Sequence, residues 1–247
     1  SGSFLFDFIS KYILKKSDVN VRELKSSQYL SSIGIPHTVG TDSAFLLSPL
    51  KTKRDNYLCF IPAHFDDWHP YFKKHNIDNY FMESFLPILT KVAKKNNLSI
   101  VVLPHFDLKT EHIYCEEIKD KIINFGIDKS KVIVPKIYNY QEYDKYISSS
   151  LITVGMRYHS CVLAAKNAIP FLTLSYENKM NEVATYTEMS KFVINLYELN
   201  KYDSVHIESI IDELINNNYY LSDKLSKRYV NYLLPNVQKK TKEVFKI

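Results

Sequence analysis

From residue 57 onward the chain alternates between short unbroken apolar runs and longer stretches whose apolar residues recur every three or four positions. The runs are YLCFIPA (57–63), LSIVVLPH (98–105), KVIVP (131–135), LITVG (151–155), IPFLTLS (169–175) and KFVINL (191–196). They lack the apolar–polar alternation of a half-exposed strand and are too short for helices. Continuous apolar runs of this length predict strands buried on both faces. Between them, residues 82–97, 111–126, 139–150, 158–168 and 178–189 carry helical periodicity. Strand followed by helix, repeated, predicts a parallel sheet covered on both sides. Gly34 ends a helical stretch and is placed for a left-handed cap, and Gly126 ends another.

The first fifty residues read differently. Residues 4–16 form an amphipathic helix, and Lys15 and Lys16 follow its apolar run, the reverse of a secretion signal. DVNV (18–21) is a short strand, RELKSSQYLSSIG (22–34) a helix, and residues 35–49 are irregular and extended. The charged stretch PLKTKRDN (49–56) marks a boundary. Two helices, 203–217 and 219–246, close the chain. The expected organisation is the tail of one domain over 1–50, a Rossmann-like domain over 51–218, and a C-terminal helical segment, 219–247, packing back across the domains.

Composition narrows the function classes. The chain has 247 residues, 45% apolar and 24% charged, with 19 tyrosines and 14 phenylalanines to build a core. Five glycines leave no dinucleotide fingerprint and no P-loop. Three widely spaced cysteines form no CxxC pair, which argues against a disulfide framework or structural zinc and for a reducing compartment. The net charge of +5 is spread out, which suits an anionic small substrate or a membrane surface and not nucleic acid. No apolar segment reaches the ~18 residues that span a bilayer.

The chemistry gathers at predicted strand ends, where open parallel sheets bind ligands. Arg157 and His159 follow the run 151–155 and open a helix, whose N-terminus favours an anion. Arginine grips a carboxylate or phosphate by two hydrogen bonds, and histidine moves a proton near neutral pH. The competing reading pairs Arg157 with a neighbouring carboxylate and uses His159 as a turn cap. His105 and Asp107 end another strand, either facing the same cleft or bonded to each other. Lys179 sits in the first turn of a helix, where a cation is disfavoured unless an anion faces it; the competing reading is a solvated lysine. The long segment 64–81 carries His64, His69, His75, Asp66 and Asp67, but their spacing matches no standard metal set, and it reads as a solvated loop. Glu116 and Glu117 point differently on a helix and form no acid–base pair.

Two stretches resemble the polysaccharide pyruvyltransferase family. VRELKSSQYLSSIG (21–34) followed by TDSAFLL (41–47) is similar to its V-R-D/E-x-x-S, Leu, Gly, Asp and AF-L pattern. GMRYHSCVLAAKNAIPFLTLSYENK (155–179) is similar to its G-x-R-x-H, small-residue helix, proline and Y-x-x-K pattern. The match in order and spacing runs through most of residues 18–190. The resemblance implies a GT-B-type architecture of two Rossmann-like domains. It also implies transfer of an enolpyruvyl unit from phosphoenolpyruvate to sugar hydroxyls, usually as a cyclic ketal, with phosphate leaving.

On that resemblance Arg157 holds the carboxylate or phosphate of the donor and His159 is the general acid. Arg22 faces the cleft from the other domain. His105, Lys179, Ser160 and Tyr176 are further substrate contacts. No metal, nucleotide or other cofactor is required. The implied partners are phosphoenolpyruvate and a saccharide acceptor, free or lipid-linked, in the cytoplasm or at the inner membrane face. Homo-oligomerisation stays open. Family members carry a fuller N-terminal Rossmann-like domain ahead of the V-R-E motif, and residues 1–50 are expected to be its tail. Two alternatives stand beside this reading: a glycosyltransferase using a nucleotide sugar, and a non-catalytic module that binds a glycan or another protein.

Overall fold

The computed structural model describes residues 4–65, 74 and 77–245. The chain divides into two compact units, residues 1–47 with 230–247, and residues 48–229. The first unit opens with α1 (Phe4–Leu14), β1 (Asn20–Val21), α2 (Leu24–Ser32) and β2 (Thr38–Val39), and β1 pairs with β2 in parallel. A 3-10 turn, Ser43–Leu46, follows, and the Asp42 carboxylate accepts from the Ala44 N–H at 2.9 Å to start it. The segment 35–49, expected to be irregular, therefore contains a strand and a capped turn.

The second unit runs β3 (Tyr57–Ile61), α3 (Ile77–Lys95), β4 (Ser99–Val102), α4 (Lys109–Asn124), β5 (Val132–Ile133), α5 (Tyr140–Ser148), β6 (Ile152–Gly155), α6 (Tyr158–Lys166), β7 (Phe171–Ser175), α7 (Asn178–Tyr186), β8 (Val193–Asn195), α8 (Ser204–Asn216) and α9 (Asn218–Arg228). Its six strands form one parallel sheet in the order β5-β4-β3-β6-β7-β8. Every residue of β6 and β7 is buried, as unbroken apolar runs require when helices cover both faces. The strands are shorter than the apolar runs, and proline sets several ends. β3 stops before Pro62 and β7 begins after Pro170, because proline has no N–H to give the ladder.

The winding reverses between β3 and β6. These strands pair from Leu58↔Ile152 to Ile61↔Gly155, while the chain proceeds outward from each in opposite directions. Their carboxyl ends form the crevice where such sheets bind ligands. α3 packs on α4 and α8, and α6 packs on α5 and α7. Ion pairs Lys91–Glu208 at 2.7 Å and Lys95–Asp212 at 2.6 Å tie α3 to α8.

One charged pair lies in the core. Lys166 on α6 is buried against Asp144 on α5, and Asn167 donates to the same carboxylate at 2.7 Å. The stretch entering the unit is sewn to this corner: Leu50 N–H donates to Asn167 Oδ1 at 2.9 Å and Arg54 donates to the Ala168 carbonyl at 2.7 Å.

The closing helix expected over 219–246 is helical through its described residues, but it is not α-helical throughout. α9 ends at Arg228, a π-helical turn spans Tyr229–Leu233, and α10 (Leu234–Phe245) follows. Pro235 accounts for the π-helical turn, since it removes an N–H and crowds the preceding turn. Within the first unit, Thr41 Oγ1 donates to the Leu233 carbonyl at 3.3 Å and α10 packs on the 3-10 turn. Gly34 (φ +69°) and Gly126 (φ +87°) adopt the left-handed conformation after their helices. Of the expected loop 64–81, residues 77–81 are helical, and Asp66, Asp67, His69 and His75 lie outside the described residues. No helix among the described residues is long and apolar enough to cross a membrane.

Candidate functional site

The turn from β6 into α6 is built on a close approach. A Cβ on Gly155 would stand 2.3 Å from Ser160 Oγ and 3.0 Å from Cys161 Sγ, so only glycine lets the helix start this near the strand end. Arg157 occupies the cap position with extended backbone, and no side chain caps the helix. The Ser160 hydroxyl is buried and donates to the Arg157 carbonyl at 2.5 Å. Ser160, expected as a substrate contact, thus closes the turn that presents Arg157.

The Arg157 guanidinium is largely enclosed. It pairs with Glu111 in the first turn of α4 and hydrogen-bonds Tyr176 at the end of β7. The Phe106 ring lies with its centroid 5.5 Å from the guanidinium carbon. Its Nε is buried with no acceptor among the described residues. An unused donor on a buried cation is costly unless something fills it. Tyr176 is buried, its ring edge-on to Phe65 at 4.7 Å. Burial, with Glu177 nearby, pushes its phenol up to about 12, so it stays neutral.

His105 follows β4 and faces the same cluster. Its Nδ1 lies 2.8 Å from the Tyr143 hydroxyl on α5, and its ring meets Phe106 edge-on. Glu111 accepts weakly from its backbone N–H at 3.4 Å. Burial first, then the nearby Arg157 and His159, pull the imidazole down to about 3, leaving it neutral at physiological pH. Asp107 is not its partner. That carboxylate is exposed and lies 3.4 Å from the His112 ring.

His159 is exposed on the first turn of α6, its ring edge-on to Tyr158 at 5.1 Å. Lys179, in the first turn of α7, pairs with Glu177 at 2.7 Å, so a carboxylate of this chain already faces its charge. Arg22 belongs to the first unit, where it pairs with Asp42. The structure therefore joins Arg157, His105 and Tyr176 through direct contacts or through Glu111, with His159 on the adjoining helix turn.

Glu111, Tyr143 and Phe106 are the members of this cluster that sequence reasoning passed over. Glu111 had one available signal, an acid in the first turn of the helix after an apolar run. Tyr143 had none beyond helical spacing. Cys59, Cys115 and Cys161 are buried free thiols whose pKa values burial raises, which suits packing rather than nucleophilic chemistry. No group of three metal-ligating side chains forms among the described residues.

The fold is shared with several solved structures of low sequence identity. TarM is similar at TM-score 0.55 and 15% identity, over 96% of this chain and 45% of its own. A trehalose-6-phosphate synthase from Burkholderia multivorans is similar at TM-score 0.57 and 11% identity, over 94% and 58%. A UDP-N-acetylglucosamine 2-epimerase from Listeria monocytogenes is similar at TM-score 0.56 and 12% identity, over 86% and 54%. The chain thus spans about half the length of these structures. They establish the GT-B type of Rossmann-like α/β fold and nothing of the substrate. No curated protein matches the chain. The family model for polysaccharide pyruvyl transferase matches residues 2–178, across α1 to the start of α7 and including Arg157 and His159, and the chain belongs to that family.

Proposed function

We propose that this chain binds phosphoenolpyruvate at the carboxyl ends of β4 and β6 and passes its pyruvyl unit to hydroxyls of a cell-surface polysaccharide or its lipid-linked precursor. The reading places the reaction in the cytoplasm or at the inner membrane face. The observation that carries it is the Arg157 guanidinium, which keeps a buried, unused Nε–H at an uncapped helix N-terminus. The helices entered from β4, β6 and β7 all lack a side-chain cap, and these N-termini favour a polyanion.

In this reading Arg157 holds the donor's carboxylate or phosphate. His159 delivers a proton to the methylene carbon, turning it into a methyl group. Positive character builds at the central carbon, and a sugar hydroxyl adds there. Phosphate leaves with its bonding pair, and a second hydroxyl closes the ketal. Two hydroxyl protons are released; one balances the proton taken by carbon and the other leaves with phosphate. Neutral His105 and neutral Tyr176 supply hydrogen bonds and no competing charge.

Thermal unfolding in the presence of phosphoenolpyruvate or UDP tests the reading. Stabilisation by phosphoenolpyruvate, lost in Arg157→Ala, is the expected result. Stabilisation by UDP alone would point to nucleotide-sugar chemistry. Indifference to both, with biological activity retained after Arg157→Ala and His159→Ala, would point to a binding module.

A further inference from the structure

Tyr143 and His105 form a hydrogen bond whose direction can be worked out. Tyr143 is buried, and burial raises its phenol well above the ordinary value, so the hydroxyl keeps its proton. Its only hydrogen-bond partner among the described residues is His105 Nδ1, at 2.8 Å. Were Nδ1 to carry the imidazole proton, the buried hydroxyl would have no acceptor for its own. An unsatisfied buried donor costs about 1–3 kcal/mol. With Nδ1 as acceptor, both groups are satisfied and the proton sits on Nε2. Nε2 makes no hydrogen bond among the described residues.

The groups around the ring keep it in that form. Tyr143 from α5 and Phe106 from its own loop touch the ring, Arg157 at the start of α6 and His159 in its first turn act on it electrostatically, and Glu111 from α4 accepts from the His105 backbone N–H. Burial first, then Arg157 and His159, oppose a positive charge on the ring, and Phe106 adds an apolar wall.

We infer that Tyr143 is a positioning residue that locks His105 as a neutral Nε2–H donor, and that this donor receives an anionic oxygen of the ligand held by Arg157. The identity of that ligand as phosphoenolpyruvate rests on the function proposed above; the tautomer does not. The assignment separates the two histidines of the site. His105 donates a hydrogen bond without titrating, and His159 is left as the group that moves a proton.

Long-range proton–nitrogen NMR spectra of the histidine-labelled chain read the tautomer directly. The expected result is a single Nε2–H form of His105 from about pH 5 to 8, where an ordinary imidazole would titrate. An Nδ1–H form, or titration inside that range, overturns the inference. In Tyr143→Phe the signals move to a mixture of tautomers, and binding of phosphoenolpyruvate or inorganic phosphate weakens roughly five- to tenfold, the effect of one hydrogen bond. A wild-type-like tautomer in Tyr143→Phe also overturns it. If phosphate perturbs Nε2 and phosphoenolpyruvate does not bind, the donor reading fails and the inference stands. If phosphoenolpyruvate stabilises the protein without perturbing Nε2, the inference fails and the donor reading stands.

Discussion

Glu111 and Arg157, 46 positions apart in the sequence, form an ion pair at the carboxyl ends of β4 and β6, with side chains only 11% and 15% exposed. At that depth the pair is more than a surface contact, since water screens neither charge well. Glu111→Gln keeps an acceptor and loses the charge. The expected loss is about 1–3 kcal/mol in urea unfolding. Inorganic phosphate, no longer facing a competing carboxylate, binds more tightly in the same variant. Unchanged stability together with weaker phosphate binding would show that Glu111 does not compete for Arg157.

The contact between Gly155 and Ser160 gives a sharper test. Gly155→Ala forces a Cβ to within 2.3 Å of a hydroxyl oxygen and is expected to destabilise by about 1–3 kcal/mol. Adding Ser160→Ala removes that oxygen and leaves the Cys161 sulfur at 3.0 Å and the residue 160 Cβ at 3.5 Å. The double variant should recover most of the loss in thermal or urea unfolding. Additive damage would mean that the turn is not packed as described.

Lys166 and Asp144 make a buried pair with both side chains essentially inaccessible. Lys166→Met leaves the carboxylate without its cation, and the expected penalty is about 3–5 kcal/mol. Asp144→Asn in the Lys166→Met background should restore part of it, because no bare charge remains. A double-mutant cycle by urea unfolding measures the coupling, and a value below about 0.5 kcal/mol, as for exposed pairs, would refute the burial.

The depressed pKa of His105 makes stability depend on acid. Folded, the ring binds a proton only near pH 3; unfolded, it does so near 6.5. Between those values the unfolded chain holds more protons, so stability falls as pH falls from about 6.5 toward 3. His105→Gln removes this dependence. Its melting temperature should decline less steeply over that window than that of the wild type. Parallel curves would show that His105 is not held neutral by the fold.

Local pattern made much of the architecture legible. Runs such as LITVG and FLTLS have no polar face to show water, so they had to be strands inside a covered parallel sheet. Gly126 ended its helix where expected because a left-handed residue is a local requirement. Arg157 and His159 could be put at a strand end for the same reason. The π-helical turn in the closing helix was equally local, written in Pro235, and the periodic pattern around it hid it.

Partners were another matter. Nothing near Lys166 in the chain says that it is buried, and nothing near His105 names Tyr143, 38 positions on. Those pairings depend on the order in which six strands assemble, which brings the ends of β4 and β6 to opposite sides of β3. By itself the sequence determined which segments are strands and helices, and which side chains stand at their ends, because those follow from neighbours a few residues away. Only the tertiary structure decided which ends meet, because charge and hydrogen bonding act through space and the chain reaches those contacts by burying its apolar surface.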